Sequence, residues 1–285
     1  MVKARFTTFD VVVYAILLTV GLLTLLPFMY VISVSLTPYS EVVRNGGFVL
    51  IPHEFTMDAY RQLFDRPIIP RAFGVTLFLS IAGTAMNLAL TLLMAYPLSR
   101  KKLPGRTSLL LFVVFTMLFN GGLIPTYLIV KETYLLNTIW AMIIPSLIWA
   151  FNILVMKTFL EGLPEELFES ARMDGAGEGV ILLRLVMPLS IPSLVTIGLF
   201  YLVGHWNQFF LGVLYIQNTD LFPLQLVVRN MLISASSVET NVDVTLPTAT
   251  LQMAAVVTAS LPIVLVYPFF QKHLTKGMLL GSIKG

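Results

Sequence analysis

Five consecutive residues, His205-Trp206-Asn207-Gln208-Phe209, put an imidazole, two amides and two aromatic rings inside a long apolar stretch. Asn87, Asn120, Asn152 and Gln252 are further amides in stretches of the same kind. Neutral donors and acceptors beside flat rings suit a sugar, which offers many hydroxyls and an apolar ring face. The same groups have a plainer use, hydrogen bonding between helices in lipid, worth about 0.6 kcal/mol per contact on average. Both readings stay open for His205, Trp206, Asn207, Gln208, Asn87, Asn120 and Asn152, the candidate substrate-pathway residues.

Other chemistries lack their residues. No Gly-x-x-x-x-Gly-Lys-[Ser/Thr] occurs, so the sequence has no phosphate-cradling loop of the usual ATPase kind. His53, His205 and His273 stand far apart without metal-ligand spacing, and cysteine is absent. No nucleophile-elbow pattern supports a hydrolase. We therefore assign no catalytic residue, no metal site and no bound cofactor.

The elements that must position the polar residues follow from the charges. Charged residues make up 12% of the 285, where soluble domains carry about 25%. Six intervals hold no Asp, Glu, Lys or Arg: 11–40, 72–99, 107–130, 133–156, 185–219 and 244–271. Each exceeds the roughly 20 residues that cross a hydrocarbon core. We expect an all-α membrane protein forming one transmembrane domain over 1–285. Its helices should lie at about 10–36, 72–99, 106–120, 138–158, 188–213 and 248–271. Lys3 and Arg5 precede an apolar run too long for a cleaved signal peptide, so a retained first helix is expected.

Alternate connecting segments carry 12 and 6 Lys or Arg residues, and the bias places both termini in the cytoplasm. The net charge of +3 is accounted for by that bias and calls for no nucleic-acid partner. Charge-free spans provide no intramembrane proton relay, although sodium coupling through backbone carbonyls stays open. Asn120-Gly121-Gly122 and Pro125 interrupt the third interval, and such breaks are tolerated where protein or a water-filled cavity satisfies the backbone.

One loop, 159–187, is unlike a passive connector. Pro164, Glu165 and Glu166 suit the start of a helix. Leu163, Leu167, Phe168 and Ala171 then share one face, and Asp174-Gly175-Ala176-Gly177 ends it. A second amphipathic segment leads to Pro188. An exposed apolar face in such a loop calls for a partner surface or the membrane surface.

This loop resembles the EAA motif of ABC importer permeases, which runs Glu-Ala-Ala, three residues, Gly, nine residues, then Ile-x-Leu-Pro. Here it reads Glu169-Ser170-Ala171, Arg172-Met173-Asp174, Gly175, Ala176 to Arg184, then Leu185-Val186-Met187-Pro188. Met173-Asp174-Gly175-Ala176 is similar to the sugar-uptake branch of that family. Ala95-Tyr96-Pro97-Leu98-Ser99-Arg100 with Pro104-Gly105-Arg106, the stretch 52–60, Gly122 to Thr126, and the tail from Gln271 to Gly285 resemble the same branch.

The resemblance implies the type I importer permease fold with six transmembrane helices, in a bacterial inner membrane. It implies that Glu169, Ser170, Ala171, Met173, Asp174, Gly175, Ala176 and Pro188 couple to an ATPase through a coupling helix. It further implies a second homologous permease chain, two ATPase subunits that bind ATP and Mg, and an extracytoplasmic solute-binding protein. Complex or acidic oligosaccharides, alginate among them, are the substrates of the subgroup it looks most like. The alternative is a secondary carrier or channel for a small polar solute, working without ATP.

Overall fold

The computed structural model describes the backbone at 8–236 and 248–282, and the side chains at 8–234, 248–266, 268 and 269. Among these residues all regular structure is helical. Two compact units are formed, one by Met1–Ile69 with Val228–Leu261, the other by Pro70–Val227 with Pro262–Gly285.

The first unit begins with α1, Thr8–Ser35, whose buried residues are only Ser33, Val34 and Ser35. A helix apolar on every side and exposed along most of its length belongs in lipid or against another chain. Helices α2, Tyr39–Arg44, and α3, Asp58–Asp65, follow. Glu41, 4% exposed, fixes the segment between them by accepting the backbone N–H groups of His53 (3.1 Å) and Glu54 (3.3 Å). The Tyr30 hydroxyl donates to the Gly47 carbonyl at 2.9 Å, and its ring stacks on Phe48.

In the second unit α4, Ile68–Ser99, runs unbroken for 32 residues. Next come α5, Arg106–Leu118, and α6, Leu123–Glu132, with an angle of 111° between them. Two 3-10 turns, Ile139–Met142 and Ile144–Ser146, precede α7, Ala150–Glu161, at 50°. After α8, Glu165–Met173, the short α9, Glu178–Val180, passes through a π-helical turn, Ile181–Val186, into α10, Met187–Leu189. That segment meets α11, Ile191–Trp206, at 79°. Then come α12, Phe210–Tyr215, α13, Leu224–Ser236, which belongs to the first unit from Val228 on, and α14, Ala249–Ser282, which belongs to the second from Pro262 on.

Several elements depart from the expected ranges. The helix expected over 138–158 opens as 3-10 turns around Pro145, and α7 itself reaches Glu161. The helix expected over 188–213 stops at Trp206 and resumes at Phe210, with the Asn207 amide turned back onto the Val203 carbonyl (3.0 Å). The last helix continues to Ser282 rather than ending near 271, although the side chains of the tail signature lie outside the described residues. Lys3 and Arg5 lie outside them too.

Three helices, Thr8–Ser35, Ile68–Ser99 and Ala249–Val266, are long and apolar enough to cross a membrane unaided. The bent pairs α5–α6, 3-10 turns–α7, and Glu178–Leu189 with α11 pass the same test jointly. The core of the second unit gathers Tyr96, Ile153, Met156, Leu160, Phe168, Val186, Ile197 and Tyr201, so α4, α7, α8 and α11 share one apolar centre.

Candidate functional site

The 159–187 loop is built around the end of α8. Asp174 is its C-cap, and Gly175 follows with φ +80°, a left-handed conformation natural only to glycine. The Ala176 N–H donates to the Ala171 carbonyl and the Gly175 N–H to the Arg172 carbonyl, both at 3.0 Å. These two bonds are the Schellman closure, which satisfies the last carbonyls and turns the chain sharply. Met173 is left 88% exposed at that turn, with Glu169, Ser170, Asp174 and Gly175 also exposed. Ala171 and Ala176 pack on the core instead, and Pro188 lies exposed in α10.

The apolar face of α8 needs an outside partner less than its sequence suggests. Phe168 is fully buried in the chain's own core, and Leu163 packs against the same cluster. Leu167, 39% exposed, is the member of that face left toward solvent. Arg172 donates from Nε to Glu178 Oε1 at 3.1 Å, and this bond raises the guanidinium further above its ordinary value. The pair stays ionised at any physiological pH.

The polar residues of the apolar stretches separate into two sets. In the first, Asn87 donates through Nδ2 to the carbonyls of Ser146 (2.8 Å) and Leu147 (2.9 Å). Its Oδ1 therefore faces His205 Nε2 as an acceptor, at 2.8 Å, and assigns the ring proton to that nitrogen. His205 Nδ1 stands 3.3 Å from Gln208 Oε1, and Gln208 Nε2 donates to the Met142 carbonyl at 2.7 Å. Asn87 and His205 are 0% and 1% exposed. This set latches α4 and α11 to the 3-10 turns, whose broken geometry frees the carbonyls it uses. Gly83 makes room for it, since a Cβ there would lie 2.5 Å from His205 Nε2.

The second set lines a groove of about 1010 Å³ between Trp149, Phe151, Asn152, Leu199, Phe200, Val203, Gly204, Asn207, Ile263 and Val264. Asn152 is 1% exposed, and its Nδ2 has no hydrogen-bond partner among the described residues. Asn207 is exposed on the same wall. Gly204 brings α11 onto Trp149, because a Cβ there would lie 2.6 Å from Trp149 Cη2. Among the described residues no ionisable side chain lines the groove. Trp206 is buried edge-on to Phe73, and Asn120 lies exposed, accepting the N–H of its neighbour Gly122 at 2.8 Å. Trp149 and Gly204 were not singled out by sequence, since only the fold brings position 149 against position 204. Among the described residues no cluster of three His, Asp or Glu could hold a metal ion.

Broken apolar helices around a neutral groove, joined to a displayed helix–glycine turn, define a membrane transport component. The family model of the binding-protein-dependent transport system inner membrane component matches residues 73–280, and the chain belongs to that family. It is 43% identical over 282 residues to the polygalacturonan/rhamnogalacturonan transport system permease protein YtcP of Bacillus subtilis, covering 97% of this chain and 98% of that one. It is 45% identical over 281 residues to protein LplC of the same organism, with 97% and 95% covered. A crystal structure of a bacterial ABC transporter involved in the import of the acidic polysaccharide alginate contains a similar chain. There the TM-score is 0.86 at 27% identity, over 95% of this chain and 99% of the other. Membership makes the chain a multi-pass inner membrane permease subunit and not an enzyme, and implies a binding protein, an ATPase and a second permease as partners. Nothing in these relatives favours a carrier that works without ATP.

Proposed function

We propose that this chain forms half of the translocation pathway of an ATP-driven oligosaccharide importer, with six spans and both termini in the cytoplasm. The six are the three unbroken helices and the three bent pairs. Lys and Arg set the orientation, being concentrated on the segments that include the 159–187 loop. A second homologous permease, two ATPase subunits carrying ATP and Mg, and an extracytoplasmic binding protein complete the complex.

The observation that carries the reading is the glycine-closed end of α8, where an exposed apolar residue, Met173, tops a helix anchored in the core through Phe168. Glu169, Ser170, Ala171, Met173, Asp174, Gly175, Ala176 and Pro188 are the coupling residues of this proposal. Docking drives transport only if it differs in free energy between the outward and inward states. Gly175→Arg places a large cation on a left-handed residue at this turn. The expected outcome in reconstituted complex is an inserted protein with ATP hydrolysis uncoupled from uptake. Sugar accumulation at the wild-type level in that variant would sink the assignment.

The groove supports a sugar as the substrate class. Trp149 offers a flat ring, and the amides of Asn152 and Asn207 offer neutral donors and acceptors, a set suited to sugar hydroxyls and ring faces. Similarity to polygalacturonan/rhamnogalacturonan and alginate transporters supports an acidic oligosaccharide. Among the described residues the groove is lined by no cation for a uronate carboxylate, and we assign recognition of that charge to the binding protein or the second permease. Binding of neutral and uronate oligosaccharides to the cognate binding protein separates the two classes. His205, Gln208 and Asn87 support the pathway from behind, as the latch that shapes it.

A further inference from the structure

We propose that Arg100 is a positioning residue through which the coupling helix α8 moves α4. The inference rests on the coupling reading of α8 given above. Arg100 directly follows α4, and its guanidinium carbon lies 3.7 Å from the Phe168 ring centroid and 5.2 Å from that of Tyr96. Nη1 is 3.6 Å from Glu165 Oε2, and Nε donates to Ser99 Oγ at 3.2 Å. Nη2 is buried without a hydrogen-bond partner among the described residues. The side chain is 13% exposed, while Glu165 is 56% exposed.

A cation so enclosed, with one loosely held carboxylate, depends on the ring beneath it to offset its lost hydration. A planar guanidinium can stack on Phe168 and point at Glu165 together, which a lysine ammonium cannot. Arg100 therefore fixes the first turns of α8 in direction as well as position.

The far end of α8 is tied to the same turn of α4. The Tyr96 hydroxyl donates to Glu178, whose other carboxylate oxygen accepts from Arg172. Arg106 ties the same turn of α4 to α7, donating to the Leu98 carbonyl at 2.8 Å while pairing with Glu161. The last turn of α4 thus holds α8 at both ends.

From there α4 is a continuous rod. Asn87 sits nine residues before Tyr96, about 13 Å along the axis at 1.5 Å per residue, and holds the carbonyls of Ser146 and Leu147 and the His205 ring. The chain path from α8 to α11 runs through a π-helical turn and a 79° bend. A push on α8 reaches the latch behind the groove more directly through Arg100 and α4.

The test uses the complete complex in proteoliposomes with Arg100→Met and Arg100→Lys, and with Gly175→Arg in parallel. The readout is ATP hydrolysis stimulated by substrate-loaded binding protein, divided by basal hydrolysis, per assembled complex. The expected result is normal assembly and an unchanged basal rate, with the stimulation ratio down about tenfold in both Arg100 variants, a typical size for a coupling interaction. A residue needed only for its charge would be rescued by lysine. A wild-type ratio in either variant overturns the inference, as does failure of both to assemble, which would make Arg100 a folding residue. If the Arg100 variants are normal while Gly175→Arg uncouples, this inference alone fails. If Gly175→Arg also stays coupled, the coupling reading fails beneath it.

Discussion

The end of α8 and the latch around His205 are both polar interruptions in an apolar chain, yet they spend their groups in opposite ways. The latch turns inward, with Asn87 donating two hydrogen bonds and accepting one. The loop closes its backbone through Gly175 and leaves Met173, Glu169 and Asp174 facing out. A buried polar group whose bonds are made inside the chain is architecture, because any ligand would have to outbid partners already in place. An exposed apolar side chain on a well-anchored helix is a surface that awaits something.

The sharpest way to break this contrast is Met173→Lys. The side chain is 88% exposed and ends α8, where a cation is compatible with the helix dipole, so thermal unfolding of the chain should be unmoved. An apolar anchor lost from the centre of an interface costs about 2 kcal/mol, or roughly thirtyfold in affinity. Co-purified ATPase should fall accordingly. Retention of the ATPase at wild-type strength would show that Met173 is not part of the docking surface.

Gly83→Ala attacks the other side of the comparison. The added methyl would meet the His205 ring at 2.5–2.8 Å, and the backbone of α4 gives it no room to retreat. Overpacking of this kind costs about 1–3 kcal/mol. The expected outcome is a lower unfolding temperature in detergent, with ATPase association preserved. A variant as stable as the wild type would mean that the latch is looser than its distances indicate.

The two regions also differed in how readily they could be read. The α8 turn was legible because its determinants are local, with Pro164 and two glutamates at one end and Gly175 at the other. The direction of its apolar face was read less well. Phe168 packs into the core formed with Tyr96 and Leu160, contacts that lie outside the loop's own sequence. The helices were legible wherever a charge-free run coincides with one straight helix, as in α1 and α4. Helix breaks with no Gly-Gly or charge to mark them, at 147–149 and 207–209, were not legible. Sequence pointed to the amides but could not sort them. Asn87 and Asn152 look alike until the 3-10 turns present two carbonyls to one and none to the other.

That sorting yields the mildest expected effect on stability. Asn152 Nδ2 is buried without a hydrogen-bond partner among the described residues, which carries the cost of an unmade bond at that atom. In Asn152→Leu a side chain of similar size removes that cost, and the unfolding temperature should hold or rise slightly, by less than about 1 kcal/mol equivalent. Asn87→Leu, by contrast, would strand two carbonyls and the His205 N–H. Should the Asn152 amide contact the sugar in transit, the leucine variant would fold normally and still take up substrate several-fold more slowly at subsaturating concentration. Its stimulated ATP hydrolysis would remain intact, because the α8 turn is untouched. Uptake at the wild-type rate would remove Asn152 from the pathway and leave Asn207 and Trp149 as the groove's recognition groups.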